Sequence, residues 1–148
     1  MLLGSLTRSL VTAACVFLVS LIFVRFPIAH PFLVLYFMVF VSLTFSSAGM
    51  MMALFAEEFE HLTMATTFVI TPLVFFGGVF HSLQMVPGPL RLITQFNPIF
   101  YMVSGIRYSM LGISDAPLAF CMMVVAALTI SLTAANIYLF KTGFKLRK

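Results

Sequence analysis

Long apolar runs divided by short polar or proline-rich breaks dominate the chain. The first run, Leu10–Val24, is lengthened by Leu2, Leu3 and Leu6 and stops at Arg25 and Pro27. Pro27 and Pro31 bracket His30 and predict a tight, non-helical connection, since proline fixes φ and restricts the residue before it. The second run, Phe32–Ala56, is long enough at ~1.5 Å per residue to cross a ~30 Å hydrocarbon core with some tilt. Its Ser42, Ser46, Gly49 and Ala53 fall on one helical face, where small side chains admit a close helix neighbour. Glu57-Glu58-Phe59-Glu60-His61 then interrupts the pattern. So many carboxylates together belong in water, which predicts an aqueous loop. The third run, Leu62–Phe80, contains Pro72 and Gly77-Gly78, which loosen a helix by removing a backbone donor and a side chain. Such a broken span survives where protein or water, not lipid, meets the exposed backbone. His81–Gln95 is too polar and too kinked by Pro87-Gly88-Pro89 to cross. Asn97-Pro98 opens the short run Ile99–Ile113, which carries Gly105 and Arg107 and is closed by Asp115 and Pro117. The last run is Leu118–Phe140, where Ala127, Ser131 and Ala135 form a second candidate packing face.

Composition makes the solvent explicit. Of 148 residues, 62% are hydrophobic and 8% charged, whereas soluble domains are about 25% charged and 45–50% apolar. A chain this short lacks the interior volume to hide that much apolar surface, so lipid must cover it. The expected fold class is an all-α membrane protein. Its spans are placed at about 6–26, 32–56, 62–80 and 117–140, with a basic tail at 141–148. No small-residue cleavage site follows the first run, so it reads as a retained span, not a leader. Half of the basic residues, Lys141, Lys145, Arg147 and Lys148, sit in the tail. A juxtamembrane cluster of this kind marks a cytoplasmic end, and nothing else in the chain favours nucleic acid.

Two topologies compete. In one, four spans cross and 82–113 forms a re-entrant pair of short outer helices. Arg8 and the four tail charges then lie inside, against Arg25, Arg91 and Arg107 outside. In the other, Ile99–Ile113 crosses fully and the N-terminus is outside. Arg25, Arg91 and the tail are then inside against Arg8 alone, with Arg107 embedded. The charge rule prefers the second. The cost of a midplane arginine, about 2.5–3.5 kcal/mol on insertion scales, and the shortness of the segment favour the first.

Candidate chemistry is sparse. Glu57 and His61 share a helical face at metal-ligand spacing, but no third ligand is placed beside them and a solvated loop explains them better. Cys15 and Cys121 each lie within an apolar run as ordinary membrane cysteines, with no metal-binding spacing. Met50-Met51-Met52 and Met122-Met123 read as gap fillers without clustered Cys or His. An Arg107–Asp115 ion pair requires the helix to end first, at Gly112. No Walker A loop or nucleophile elbow is present, so no catalytic residue, metal or cofactor is assigned.

One stretch is distinctive: Thr71-Pro72, the exit Gly77-Gly78-Val79-Phe80, Val86-Pro87, the corner Asn97-Pro98-Ile99-Phe100-Tyr101, and Gly105-Ile106-Arg107-Tyr108. In order and spacing it resembles the signature of ABC-2-type permeases, the membrane subunits of bacterial ABC exporters. The nearest likeness is to small inner-membrane permeases of Gram-negative bacteria. The resemblance implies the C-terminal part of a six-span permease, preceded in the family by an amphipathic helix, a coupling segment and two further spans. It selects the four-span arrangement with re-entrant outer helices and both termini cytoplasmic. It implies a multi-pass protein of the bacterial inner membrane, dimeric, which binds no ATP itself and works with a separate nucleotide-binding subunit. By resemblance, Pro72, Gly77, Gly78, Pro87, Asn97, Pro98, Tyr101 and Arg107 belong to the translocation path and outer gate. Glu57, Glu58, Glu60 and His61 form the loop that faces the cassette. The function implied is ATP-driven export of an unidentified substrate; the phenylalanine, valine, leucine and methionine of the path suit an amphipathic or lipid-like cargo, and equally suit a lipid-facing surface. The alternative is a truncated, non-transporting membrane fragment or accessory scaffold subunit, which an upstream in-frame extension beside an ATPase gene would argue against.

Overall fold

The computed structural model describes residues 2–23, 29–55, 63–64, 66–79 and 88–142. The tail beyond Thr142, Pro87 and the acidic loop with Glu57, Glu58, Glu60 and His61 lie outside them. The described chain is helical. In order come α1 (Leu2–Phe23), α2 (Pro31–Phe55), a π-helical turn (Thr66–Ile70) running into α3 (Thr71–Phe76), α4 (Gly88–Phe96), α5 (Pro98–Leu111) and α6 (Leu118–Lys141). Two of these, α2 and α6, are long and apolar enough to cross a membrane; Thr7–Ile22 and Thr67–Phe76 are shorter apolar stretches.

Prolines and glycines set the boundaries. Pro31 and Pro98 stand in the first turns of α2 and α5, where a missing N–H costs nothing and the fixed φ suits the helix. Gly112 closes α5 at φ 72°, and its N–H bonds back to the Tyr108 carbonyl at 2.8 Å. A side chain there would strain the left-handed backbone.

Polar contacts clamp α2 to α6. The Tyr36 hydroxyl donates to the Met122 carbonyl at 3.2 Å. The hydroxyls of Thr44 and Thr129 meet at 2.7 Å, and those of Ser47 and Thr133 at 3.2 Å. Asn136 Nδ2 donates to the Ser47 carbonyl at 2.8 Å. Partners advance together along both helices, so α2 and α6 run parallel. In an apolar surrounding such bonds act as glue between helices, each contributing about 0.6 kcal/mol on average.

Helix α5 packs antiparallel to both. The N–H groups of Ala29 and His30, ahead of α2, reach the carbonyls of Met110 and Ser109 near the end of α5. The His30 and Tyr108 rings stack there with centroids 5.5 Å apart. Farther along, Gly105 faces Phe37: a Cβ on Gly105 would lie 2.2 Å from the ring. Phe37 is fully buried at the centre of the core with Met102, Cys121 and Val125. Being short, α5 covers only the first parts of α2 and α6.

Helix α1 runs antiparallel to α2. Val16 lies with Met38 along a shared groove, and Arg8 with Ser46 and Ala53.

Within this chain, the two small-residue faces are used only in part. The face of α6 that is buried is Cys121, Val125, Thr129 and Asn136, while Ala127 and Ser131 are exposed and Ala135 is half-buried. The threonine and asparagine hydrogen bonds, not the small-residue spacing, orient this helix. On α2, Ser42 and Ser46 are covered but Gly49 and Ala53 are open. Cys121 is buried, whereas Cys15 sits on the exposed side of α1.

Candidate functional site at the Asn97 corner

Asn97, Pro98 and Tyr101 each have a separate task at the joint between α4 and α5. Asn97 caps α5: its Oδ1 accepts from the Ile99 N–H at 3.0 Å. An amide at this position satisfies one of the donors that a helix start leaves open. Pro98 follows within the first turn. Tyr101, one turn later, points back toward the helix start, as helical side chains do. Its hydroxyl donates to the Gln95 carbonyl at 2.8 Å, satisfying an open acceptor in the last turn of α4. The Asn97 N–H itself returns to the Thr94 carbonyl at 3.1 Å. An Asn-Pro-x-x-Tyr spacing therefore builds a closed corner from local bonds.

The corner is also tied to α3. At the end of α3 the Gly77 N–H bonds to the Val74 carbonyl at 3.1 Å, one residue short of the α-helical partner. That leaves the Leu73 carbonyl available, and Asn97 Nδ2 donates to it at 2.5 Å. Close approach is possible because Gly77 lacks a side chain; a Cβ there would lie 2.7 Å from Ile99 Cγ2 and 2.9 Å from the Leu73 oxygen. Next to it Gly78 adopts φ 74°, a conformation natural to glycine.

Arg107 makes a second tie. Its Nη1 meets Asp115 Oδ2 at 2.6 Å, and its Nη2 donates to the Gly78 carbonyl at 2.7 Å. The pair is largely withdrawn from solvent, with the side chains 23% and 10% exposed. It forms because α5 stops at Gly112 and the chain turns back. One guanidinium thus joins the exit of α3, the body of α5 and the loop before α6.

The structure brings Gly77, Gly78, Asn97, Pro98 and Arg107 into one constellation at the α3–α5 contact. Pro72 and Asn97 share a cleft of about 400 Å³ with Leu73, Phe76, Leu92, Ile93 and Phe96. Tyr101 turns away from this cleft toward α6, its ring 5.1 Å from that of Phe120. Before Pro72 the chain widens into the π-helical turn, a feature associated with functional positions and with helices under local stress. Leu73 and Ile99 carry no sequence signal for their roles, since one acts through its carbonyl and the other through proximity to a glycine. The Phe37–Gly105 contact leaves no sequence signal for the same reason. Among the described residues no His, Cys, Asp or Glu cluster is suited to a metal ion.

Comparison with known proteins decides the family. The profile of the ABC-2 type transporter family matches residues 1–111. The chain belongs to this family. It is 40% identical over 115 residues to the inner membrane transport permease YadH of Escherichia coli (strain K12), covering 78% of this chain and 45% of that protein. Nodulation protein J of Rhizobium meliloti (strain 1021) is 31% identical over 70 residues, 47% of this chain and 27% of that protein. The chain therefore spans less than half the length of the curated relatives it matches. No solved structure matches it. ABC-2 permeases are non-catalytic membrane subunits.

Proposed function

We propose that this ABC-2 chain forms part of the export path of an ATP-driven transporter of the bacterial inner membrane. A separate nucleotide-binding subunit supplies the energy, and two permease copies enclose the path. In this reading α4 and α5 are the re-entrant outer pair, and the acidic loop 57–61 faces the cassette. Both termini are cytoplasmic. The parallel register of α2 and α6 carries the topology. Parallel spans require an odd number of complete crossings between them. With the broken stretch containing α3 as that one crossing, α4 and α5 together would provide none. Full crossing by α5 would instead make α2 and α6 antiparallel.

The α3–α4 cleft supports an amphipathic or lipid-like cargo, because its lining is aromatic and aliphatic apart from Asn97. Its tie to Arg107 through Gly78 gives the outer end a latch that opening of the path must loosen.

Two measurements test the proposal. Single cysteines introduced at Thr63 and Thr142, in a background lacking Cys15 and Cys121, are expected to label from the same side of sealed vesicles, and His30→Cys from the other. Labelling of 63 and 142 from opposite sides would overturn the topology. Co-purification with the cognate cassette protein, followed by an ATPase assay, tests the assembly; absence of any complex would overturn the subunit role.

A further inference from the structure

The groove between α1 and α2 holds a charge with no partner among the described residues. Arg8 lies about 9 Å along α1 from its first residue at ~1.5 Å per residue. Its guanidinium makes no hydrogen bond or ion pair with any described residue; only its backbone carbonyl is additionally engaged, by the Thr12 hydroxyl at 2.9 Å. Two cavities of about 530 and 440 Å³ open on either side, and Arg8, Ser9 and Phe45 border both. The larger continues along Ala13, Val16, Met38 and Val41 as an apolar trough. The smaller is floored by Gly49, where nothing approaches within 4 Å of a would-be Cβ.

An unpaired guanidinium beside apolar walls in a membrane helix is costly unless an anion meets it. Its planar fork matches a phosphate through paired N–H donors. The outer side of α1 is apolar and open within this chain, with Val11, Val16, Leu18 and Val19 each more than half exposed, a surface suited to lipid. Since α1 opposes α2 and α2 parallels α6, Arg8 and Lys141 lie toward the same end of the molecule. A basic residue near a membrane surface attracts anionic headgroups.

We propose that an anionic phospholipid of the surrounding bilayer occupies this groove. Its phosphate sits on Arg8, and one acyl chain lies along Val16, Met38 and Val41. The site is separate from the Asn97 corner and rests on the embedding of the chain in a membrane.

The test is lipid retention by the purified chain, read by native mass spectrometry after equilibration with vesicles of equal phosphatidylglycerol and phosphatidylcholine. Wild type is expected to retain phosphatidylglycerol about fivefold over phosphatidylcholine, the scale of one basic residue at an anionic surface. R8Q is expected to abolish the preference and R8K to keep part of it. R91Q, at an exposed arginine on α4, should leave it unchanged. V16W should reduce retention of both lipids by filling the trough, and millimolar inorganic phosphate should not displace the bound lipid. Equal retention of the two lipids by wild type, or an unaltered preference in R8Q, would overturn the proposal. So would disulfide-linked dimers of Gly49→Cys in a background without Cys15 and Cys121, which would give the groove to a second copy. Helix content by circular dichroism checks each variant, and R8K with V16W decides the matter if R8Q fails to fold.

Discussion

Asn97 makes two bonds of different kind, and three substitutions separate them. Alanine removes both. Losing the cap costs about 1 kcal/mol. Leaving the Leu73 carbonyl without its donor costs about 1–3 kcal/mol more, because Asn97 is only 4% exposed and water does not readily replace it. The total is about 2–4 kcal/mol. Serine keeps an acceptor for the Ile99 N–H but cannot reach Leu73, so it should lose only the second part. Aspartate also keeps the cap, but it turns an oxygen toward the Leu73 carbonyl and buries a charge, so it should match or exceed alanine. The assay is thermal unfolding of the purified chain in one mild detergent. At roughly 2–4 °C per kcal/mol for a chain of this size, alanine should lower the midpoint by about 4–16 °C. Serine should fall between alanine and wild type. If serine and alanine unfold together, the cap contributes nothing. If alanine matches wild type, the α3–α5 tie is not a stabilising contact and the reasoning about the corner fails.

Three further expectations follow from neighbouring contacts. Gly105→Ala places a methyl group against the Phe37 ring and should destabilise by at least the ~1–3 kcal/mol of an overpacked core; Phe37→Leu in the same chain should recover part of it, measured by a double-mutant cycle in thermal unfolding. Asp115→Ala leaves Arg107 with the Gly78 carbonyl and should cost about 1–3 kcal/mol, below the cost of breaking a fully buried pair because Arg107 remains partly exposed. The Arg107→Asp, Asp115→Arg double variant regains an ion pair but loses the bond to the Gly78 carbonyl, so it should stay less stable than wild type. Gly77→Ala and Gly78→Ala, introduced at the matching positions of a full-length homologue, should slow export without reducing membrane insertion. Transport assayed beside membrane yield checks this, and unchanged transport would remove the α3 exit from the working parts.

Much of this protein is local, and what is local can be read from the chain. The run 32–56 becomes a helix over Pro31–Phe55 because a buried backbone in lipid must satisfy its own hydrogen bonds. Asn97-Pro98 and Gly112 bound α5 through caps that involve residues no more than four positions away. Arg107 finds Asp115 because a glycine stop returns the chain across the intervening turn. Tertiary structure alone decides which face of each helix meets protein. Lipid is as apolar as leucine, so a helix apolar on every side carries no pattern that separates its packed face from its lipid face. That is why Ala127 and Ser131 are exposed while Thr129 and Asn136 are buried, and why the parallel pairing of α2 with α6 rests on hydroxyl and amide bonds between residues more than eighty positions apart. The seat of Phe37 on Gly105 and the reach of Arg107 to the Gly78 carbonyl belong to the same class. Each depends on two backbones coming close, and closeness in space leaves no mark on hydropathy.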